Sequence, residues 1–289
     1  MKKWIFAITG ALIISVFSCE LLEDVEDGLS TEEVVEGLKT ALEIGTDTAT
    51  SVLGLSGGYL DDLTVKIPLP DEAVAVQNLI KSNSTLNSVA TSIGLHDKFD
   101  NVVIAVNHAA EKAAKEAAPI FKKSITNLTV EEGWDILNGI VPGGDQVSYI
   151  TDLLKSSDDF DSTAATKYFK NETFDPLVGL YSPKIDTALD QDIEGLNITA
   201  YEAWNSLTST YNTFLSNAVV QTTLTTAAFL GSPINLPGEI NTDIGEFCTI
   251  KALNGLFLKV GNEEKKIRKD PYKWAVDIIQ KVFGSILEE

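Results

Sequence analysis

Apolar residues return every three or four positions along most of this chain, and that period leaves little room for anything but packed α-helices. Behind Ser30-Thr31-Glu32-Glu33, the residues Val34, Val35, Leu38, Ala41, Leu42, Ala49, Val52 and Leu53 recur at helical spacing. The Ser-x-x-Glu start is a capping box, in which hydroxyl and carboxylate each satisfy an amide that the first turn leaves bare. Ser56-Gly57-Gly58 is the expected stop. Lys66-Ile67-Pro68-Leu69-Pro70 reads as extended, because each Pro drives its predecessor out of the α region. Asp71 is expected to cap a helix through Ile80, and another runs from Thr85 to Ile93, stopped by Gly94.

Residues 96–127 carry the longest helical pattern, with Phe99, Val102, Val103, Val106, Ala110, Ala113, Ala117, Ile120 and Phe121 on one face. Its Ala-rich stretch lets a neighbouring helix approach closely, and Pro119 is expected to kink it. Thr129-Val130-Glu131-Glu132 matches a second capping box, opening a helix that ends before Gly139. Asp161-Ser162 is expected to cap Thr163 to Lys170, and Asp175-Pro176 to begin a further helix. Thr199 to Leu215 is amphipathic, with Tyr201, Trp204, Leu207, Tyr211 and Phe214 on one stripe. Val219 to Leu230 is rich in β-branched residues but has no partner strand, so it reads as helix or loop. Ile244 to Arg268 and Tyr272 to Leu287 complete an all-α, single multi-helix domain spanning residues 29–289.

The first residues follow a different logic. Lys2 and Lys3 precede an apolar run from Trp4 to Phe17, too short to span a bilayer, which needs ~20 apolar residues. The run ends in Val16-Phe17-Ser18-Cys19, which resembles the lipobox of bacterial lipoproteins, although Phe17 stands where that motif usually has a small or hydroxyl residue. Residues 1–18 then form a lipoprotein signal peptide, Cys19 is the lipidation site, and residues 19–28 are an acidic tether. Only the Cys19 thiol can carry a thioether-linked diacylglycerol there, and each buried methylene adds ~0.8 kcal/mol of membrane affinity. Asp does not follow Cys19 directly, so the outer membrane is the expected location, on its periplasmic side or at the cell surface.

Charge narrows the partners. With 22 Lys+Arg against 42 Asp+Glu, the net charge is −20, and losing Lys2 and Lys3 makes it more negative. Nucleic acid is excluded, since phosphates demand basic groups. So is a domain lying flat on anionic lipid. Once Cys19 is lipidated only Cys248 remains, so no intrachain disulfide forms and packing alone supplies stability.

Several blocks resemble one bacterial family, the domain-of-unknown-function family 4197. They are Leu29 to Leu42 (LSTEEVVEGLKTAL), Lys66 to Pro70 (KIPLP), Asn107 to Phe121 (NHAAEKAAKEAAPIF), Ser162 to Phe169 (STAATKYF), Ala252 to Pro271 (ALNGLFLKVGNEEKKIRKDP) and Val282-Phe283-Gly284. The resemblance covers residues 29–284 and implies an exported or lipid-anchored helical protein. Residues 140–160 look inserted relative to the family, and residues 217–240 look longer than its link. The family carries no assigned biochemistry, so the resemblance implies a fold and a location.

No constellation assigns catalysis. His108 and Glu111 share a helical face, but a carboxylate-bridged metal site needs two Glu-x-x-His motifs, and only His96 is otherwise available. Cys248 reads as a small buried hydrophobe. Gly57-Gly58 and Gly143-Gly144 lack the Lys-Ser/Thr of a phosphate loop. The run Glu263 to Asp270 is a solvated helical face, or else a docking patch, or else Arg268 is buried against a carboxylate such as Glu111. The sequence therefore assigns no catalytic residue, cofactor or metal. It reads as a non-enzymatic α-helical binding or scaffold module for an apolar ligand or partner helix; the alternative is a carboxylate-dependent hydrolase of envelope polymers. The helix from Ala252 is expected to pack on the Ala-rich helix from Asn107, burying Phe257.

Overall fold

The capping box at Ser30 forms as its residues require. Glu33 N–H donates to Ser30 Oγ and Ser30 N–H to Glu33 Oε2, opening α1 (Thr31–Leu53). The computed structural model of the chain describes residues 28–144 and 160–287. Cys19, the signal peptide and most of the segment 140–160 lie outside the described residues. After α1 come an irregular loop, α2 (Asp71–Ser82), α3 (Ser84–Ser92), α4 (Leu95–Ala114), α5 (Ala117–Asn127) and the short α6 (Gly133–Leu137). Then follow α7 (Ala164–Leu189), α8 (Ala200–Leu215), α9 (Ala218–Phe229), α10 (Ile244–Lys269), a 3-10 turn at Pro271–Lys273 and α11 (Asp277–Ser285). The domain is all-α, with no strand among the described residues.

Small residues set the helix spacing. α10 packs on α1 and α7, α1 also on α5 and α11, and α4 on α8 and α7. On α1, Gly37, Ala41, Gly45 and Ala49 repeat every four residues and are all buried. A Cβ at Gly37 would stand 2.7 Å from Val282 of α11, and one at Gly45 would stand 3.0 Å from Val260 of α10. Where these backbones touch, no larger side chain fits.

An aromatic cluster fills the centre. The Phe121 and Phe257 ring centroids lie 5.2 Å apart, and Phe169 sits 5.8 Å from Phe121 and 5.5 Å from Phe257. Leu253, Leu256, Phe257 and Val260 are all buried, so the expected contact between the helix from Ala252 and the Ala-rich segment is present.

Several boundaries differ from the sequence expectation. The break expected from Pro119 falls at Lys115–Glu116, because the proline has no N–H for the Lys115 carbonyl four residues back and its ring crowds it; the helix then resumes with Pro119 in the first turn of α5. Thr129 caps no helix. Its carbonyl accepts the Tyr168 hydroxyl at 2.7 Å, residues 128–132 stay unwound, and α6 starts at Gly133 without a side-chain cap. Pro176 does not begin a helix either. Pro176 and Pro183 both lie inside α7, on its exposed face, while Phe174, Leu177, Tyr181 and Ile185 keep one buried stripe past them. Residues 218–229 are helix, with Phe229 90 % exposed.

Phe257→Ala removes the ring that touches Phe121, Phe169 and Phe174. Truncating a fully buried Phe costs ~3–5 kcal/mol. Calorimetry is expected to show a melting temperature lowered by at least several degrees, with helix content at low temperature unchanged.

Candidate functional site

α4 and its C-cap residue turn four reactive side chains to one side. His108, Glu111, Lys112 and Lys115 succeed one another at intervals of three, one and three residues, a single stripe of helix surface. Glu111 is nearly buried. Its Oε1 accepts the backbone N–H groups of Tyr59 (3.1 Å) and Leu60 (3.0 Å), and its Oε2 lies 2.8 Å from His108 Nδ1. A carboxylate only accepts, so Nδ1 carries the proton and Nε2 is the imidazole's remaining free edge. Lys112 Nζ donates to the Asp192 carbonyl at 2.7 Å. The Lys115 stem lies against Gly54, where a Cβ would come within 2.8 Å of Lys115 Cγ. With Ser56 and Glu194, these residues wall an open cleft of about 390 Å³.

The loop after α1 holds this arrangement in place. Besides the Tyr59 and Leu60 amides on Glu111, the Tyr59 hydroxyl donates to the Ala252 carbonyl at 2.7 Å. Asp62 pairs with Lys259 of α10. Asn107 accepts from Ile67 N–H and donates to Ile67 C=O, both at 2.8 Å, as a strand partner would. The extended KIPLP segment thus satisfies its buried backbone through one side chain of α4.

The charge run at the end of α10 is not a solvated face. Glu263, Glu264 and Arg268 are buried, although Lys266 and Lys269 are exposed. Arg268 pairs not with Glu111 but with Glu264, Nε to Oε1 at 2.9 Å, because Glu111 lies far off beside the loop at Tyr59. Glu264 also accepts from the N–H groups of Ala165 (3.0 Å) and Thr166 (2.8 Å). Arg268 donates from Nη1 to Leu137 C=O (2.6 Å) and from Nη2 to Ile136 C=O (2.9 Å).

Cys248 is fully buried, its Sγ 3.7 Å from the Val106 carbonyl. Burial, with the nearby Asp186 charge adding to it, pushes the thiol up to about 12. His96 is held apart from His108, its Nε2 2.9 Å from Asn87 Oδ1. Among the described residues, no group of three or more His, Cys, Asp or Glu is arranged to hold a metal ion. None of their helices is long and apolar enough to cross a membrane.

A larger cleft of about 660 Å³ opens between the unwound segment 128–132 and α7. Glu131, Glu132 and Glu172 line it, together with Tyr168, whose hydroxyl is raised by burial and by these carboxylates. Sequence reasoning paired His108 with Glu111 but passed over Lys112 and Lys115. The signal lay in their spacing of four and seven residues from His108.

A helical domain whose buried carboxylates clasp backbone amides, and whose α4 borders an open cleft lined by His108, Lys112, Lys115 and two glutamates, is the class that fold and site define. The chain belongs to the family described as protein of unknown function (DUF4197), whose model matches residues 28–284. No curated protein and no solved structure matches it.

Two measurements follow. Native Cys248 is expected to resist alkylation at about pH 8, where an ordinary thiol reacts. Mass spectrometry of its peptide should show full labelling only after denaturation. The Lys259 and Thr64 hydrogen bonds hold the Asp62 carboxyl at about 2, below its usual 3.8. A depressed folded pKa contributes stability above the unfolded value and loses it as pH falls through the folded one. Asp62→Asn should therefore melt lower than the unaltered protein at neutral pH. The difference should close as pH falls from about 4 to about 2.

Proposed function

We propose that this protein is a non-enzymatic binding or scaffold module of the bacterial envelope, tied to the outer membrane by a lipid on Cys19. The binding reading rests on the cleft beside α4, where His108, Lys112 and Lys115 face open space while the group that orients His108 is sealed. The family supports an exported helical domain through the resemblance drawn above. The buried thiol supports binding over covalent chemistry, because the strongest nucleophile in the domain is closed off and held protonated. Exposed Phe229 and Leu230 at the end of α9 support an apolar ligand or a partner helix as one class of partner. The chain's acidity leaves nucleic acid outside this reading.

A second reading is a carboxylate-dependent hydrolase of envelope polymers, and one observation favours it: the 660 Å³ cleft carries Glu131, Glu132 and Glu172 on its walls. Glycoside hydrolysis needs two carboxylates ~5–10 Å apart across the scissile bond. Release of soluble fragments from purified envelope polymer, abolished in Glu172→Gln, would select this reading over the first.

Replacing Cys19 with Ser removes the only thiol at the end of the apolar run. Fractionation is expected to find the variant unprocessed and without its acyl chains, and to find the unaltered protein in outer-membrane fractions. A Cys19→Ser protein that is still processed and acylated would overturn the anchor.

A further inference from the structure

We propose that the cleft beside α4 is a phosphate site, gripped by His108, Lys112 and Lys115. This deepens the reading of the domain as a binding module by naming what the cleft takes.

The chain is strongly acidic, with a net charge of −20, yet here three nitrogen cations or potential cations border one cleft. The opposing charges are Glu111, which is buried and committed to two backbone amides and His108, and the exposed Glu194. Lysines in a last helical turn are favoured by the helix dipole alone. That effect does not select a face, and it does not anchor the side chains. In this protein two of the donors, and the stem of the third, are each held by a different neighbour. Glu111 orients the imidazole, the Asp192 carbonyl holds Lys112 Nζ, and the close approach of Gly54 seats the Lys115 stem. Pre-positioned donors are what a binding site needs, since less side-chain freedom is lost when the ligand arrives.

The choice of anion follows from the donors. Nδ1 of His108 faces Glu111, so an imidazolium presents its second N–H from Nε2. Lys112 spends one of its three N–H groups on Asp192 and keeps two. Lys115 adds a further ammonium along the same stripe. Donors from three side chains lining one cleft suit the several oxygens of a tetrahedral phosphate, and charge-assisted bonds to such oxygens are the strong ones. A planar carboxylate presents only two oxygens. The phosphate belongs either to a soluble molecule or to a lipid headgroup.

The chain has two histidines, which makes the test direct: His96, bound to Asn87, is an internal reference. The full-length protein in nonionic detergent micelles, at about pH 6 where an ordinary imidazole is largely protonated, is titrated with inorganic phosphate. A parallel titration adds short-chain phosphatidic acid to the micelles, and chloride of equal ionic strength is the control. The imidazole NMR signal of His108 is expected to shift saturably while that of His96 stays still. Lys112→Gln and Lys115→Gln should each weaken the response about tenfold. A response to inorganic phosphate supports the site with a soluble source; a response to phosphatidic acid alone supports it with a lipid source. The proposal is overturned if neither ligand moves His108, if both histidines move alike, or if the lysine variants titrate as the unaltered protein does. A silent His108 removes this site and leaves the Cys19 anchor standing, whereas acylation surviving Cys19→Ser removes the anchor and leaves this site.

Discussion

Glu264 and Arg268 form the joint on which one end of the domain depends. A single carboxylate takes the first free amides of α7, which the N-cap residue Thr163 leaves uncapped because its hydroxyl donates to Asp161 instead. The guanidinium one turn later takes the last carbonyls of α6 and lies beside the rings of Phe160 and Phe283. Four segments therefore meet at one ion pair, and none of them can shift without leaving a buried charge unmatched. Breaking such a pair costs ~3–5 kcal/mol, although an apolar replacement of both partners can cost nothing. What the pair supplies is direction: it admits only one alignment of α7, α6 and α11 on α10.

The same construction occurs on α4 with a different outcome. Glu111, like Glu264, accepts two backbone amides from a remote segment and pairs with a nitrogen donor on its own helix. Arg268 has its partner four residues away and is sealed between aromatic rings. His108 lies three residues from its partner and keeps about a quarter of its side chain exposed. One pair uses its cation to complete the core, and the other holds its imidazole at the edge of a cleft. The buried carboxylate is a structural clasp in both, and only the open one leaves a nitrogen for a ligand.

Helices were legible in the sequence wherever local chemistry and the apolar stripe agreed. Ser30 and Glu33, and the stripe Trp204, Leu207, Tyr211 and Phe214, are examples. Misreadings came where a distant group overrode a local signal. Thr129 carries cap chemistry, but Tyr168 claims its carbonyl. Asp175-Pro176 looks like a helix start, yet α7 runs through Pro176, and through Pro183 after it, because each faces solvent and the buried stripe continues. A Pro in a helix interior costs ~3 kcal/mol, and burial of Phe174, Leu177, Tyr181 and Ile185 outweighs it at ~1.5–3 kcal/mol each. Thr199 and Glu202 form a capping box that the sequence displays plainly, though the apolar stripe behind it drew the reading first. The cleft was the least legible part. Its lysines lie four and seven residues from His108, but Gly54, Ser56 and Glu194 come from other segments that only the fold brings near.

Chain geometry bears on which phosphate the cleft would meet. Ser30 caps one end of α1, and Gly54, which lines the cleft, caps the other. At ~1.5 Å per residue, the 23 residues of α1 separate them by ~35 Å. A tether of residues 19–28 reaches at most ~3.3–3.6 Å per residue, so its full extension is about one length of α1. With a lipid on Cys19, a domain standing upright holds the cleft an α1 length or more from the bilayer. It meets headgroups of that bilayer by lying down along the surface, or by inverting on a fully extended tether. The acidity of the chain opposes lying down on anionic lipid. An upright domain instead presents His108, Lys112 and Lys115 to the compartment beyond the membrane, which favours a phosphate carried by a soluble molecule or by an envelope polymer over one in the anchoring leaflet.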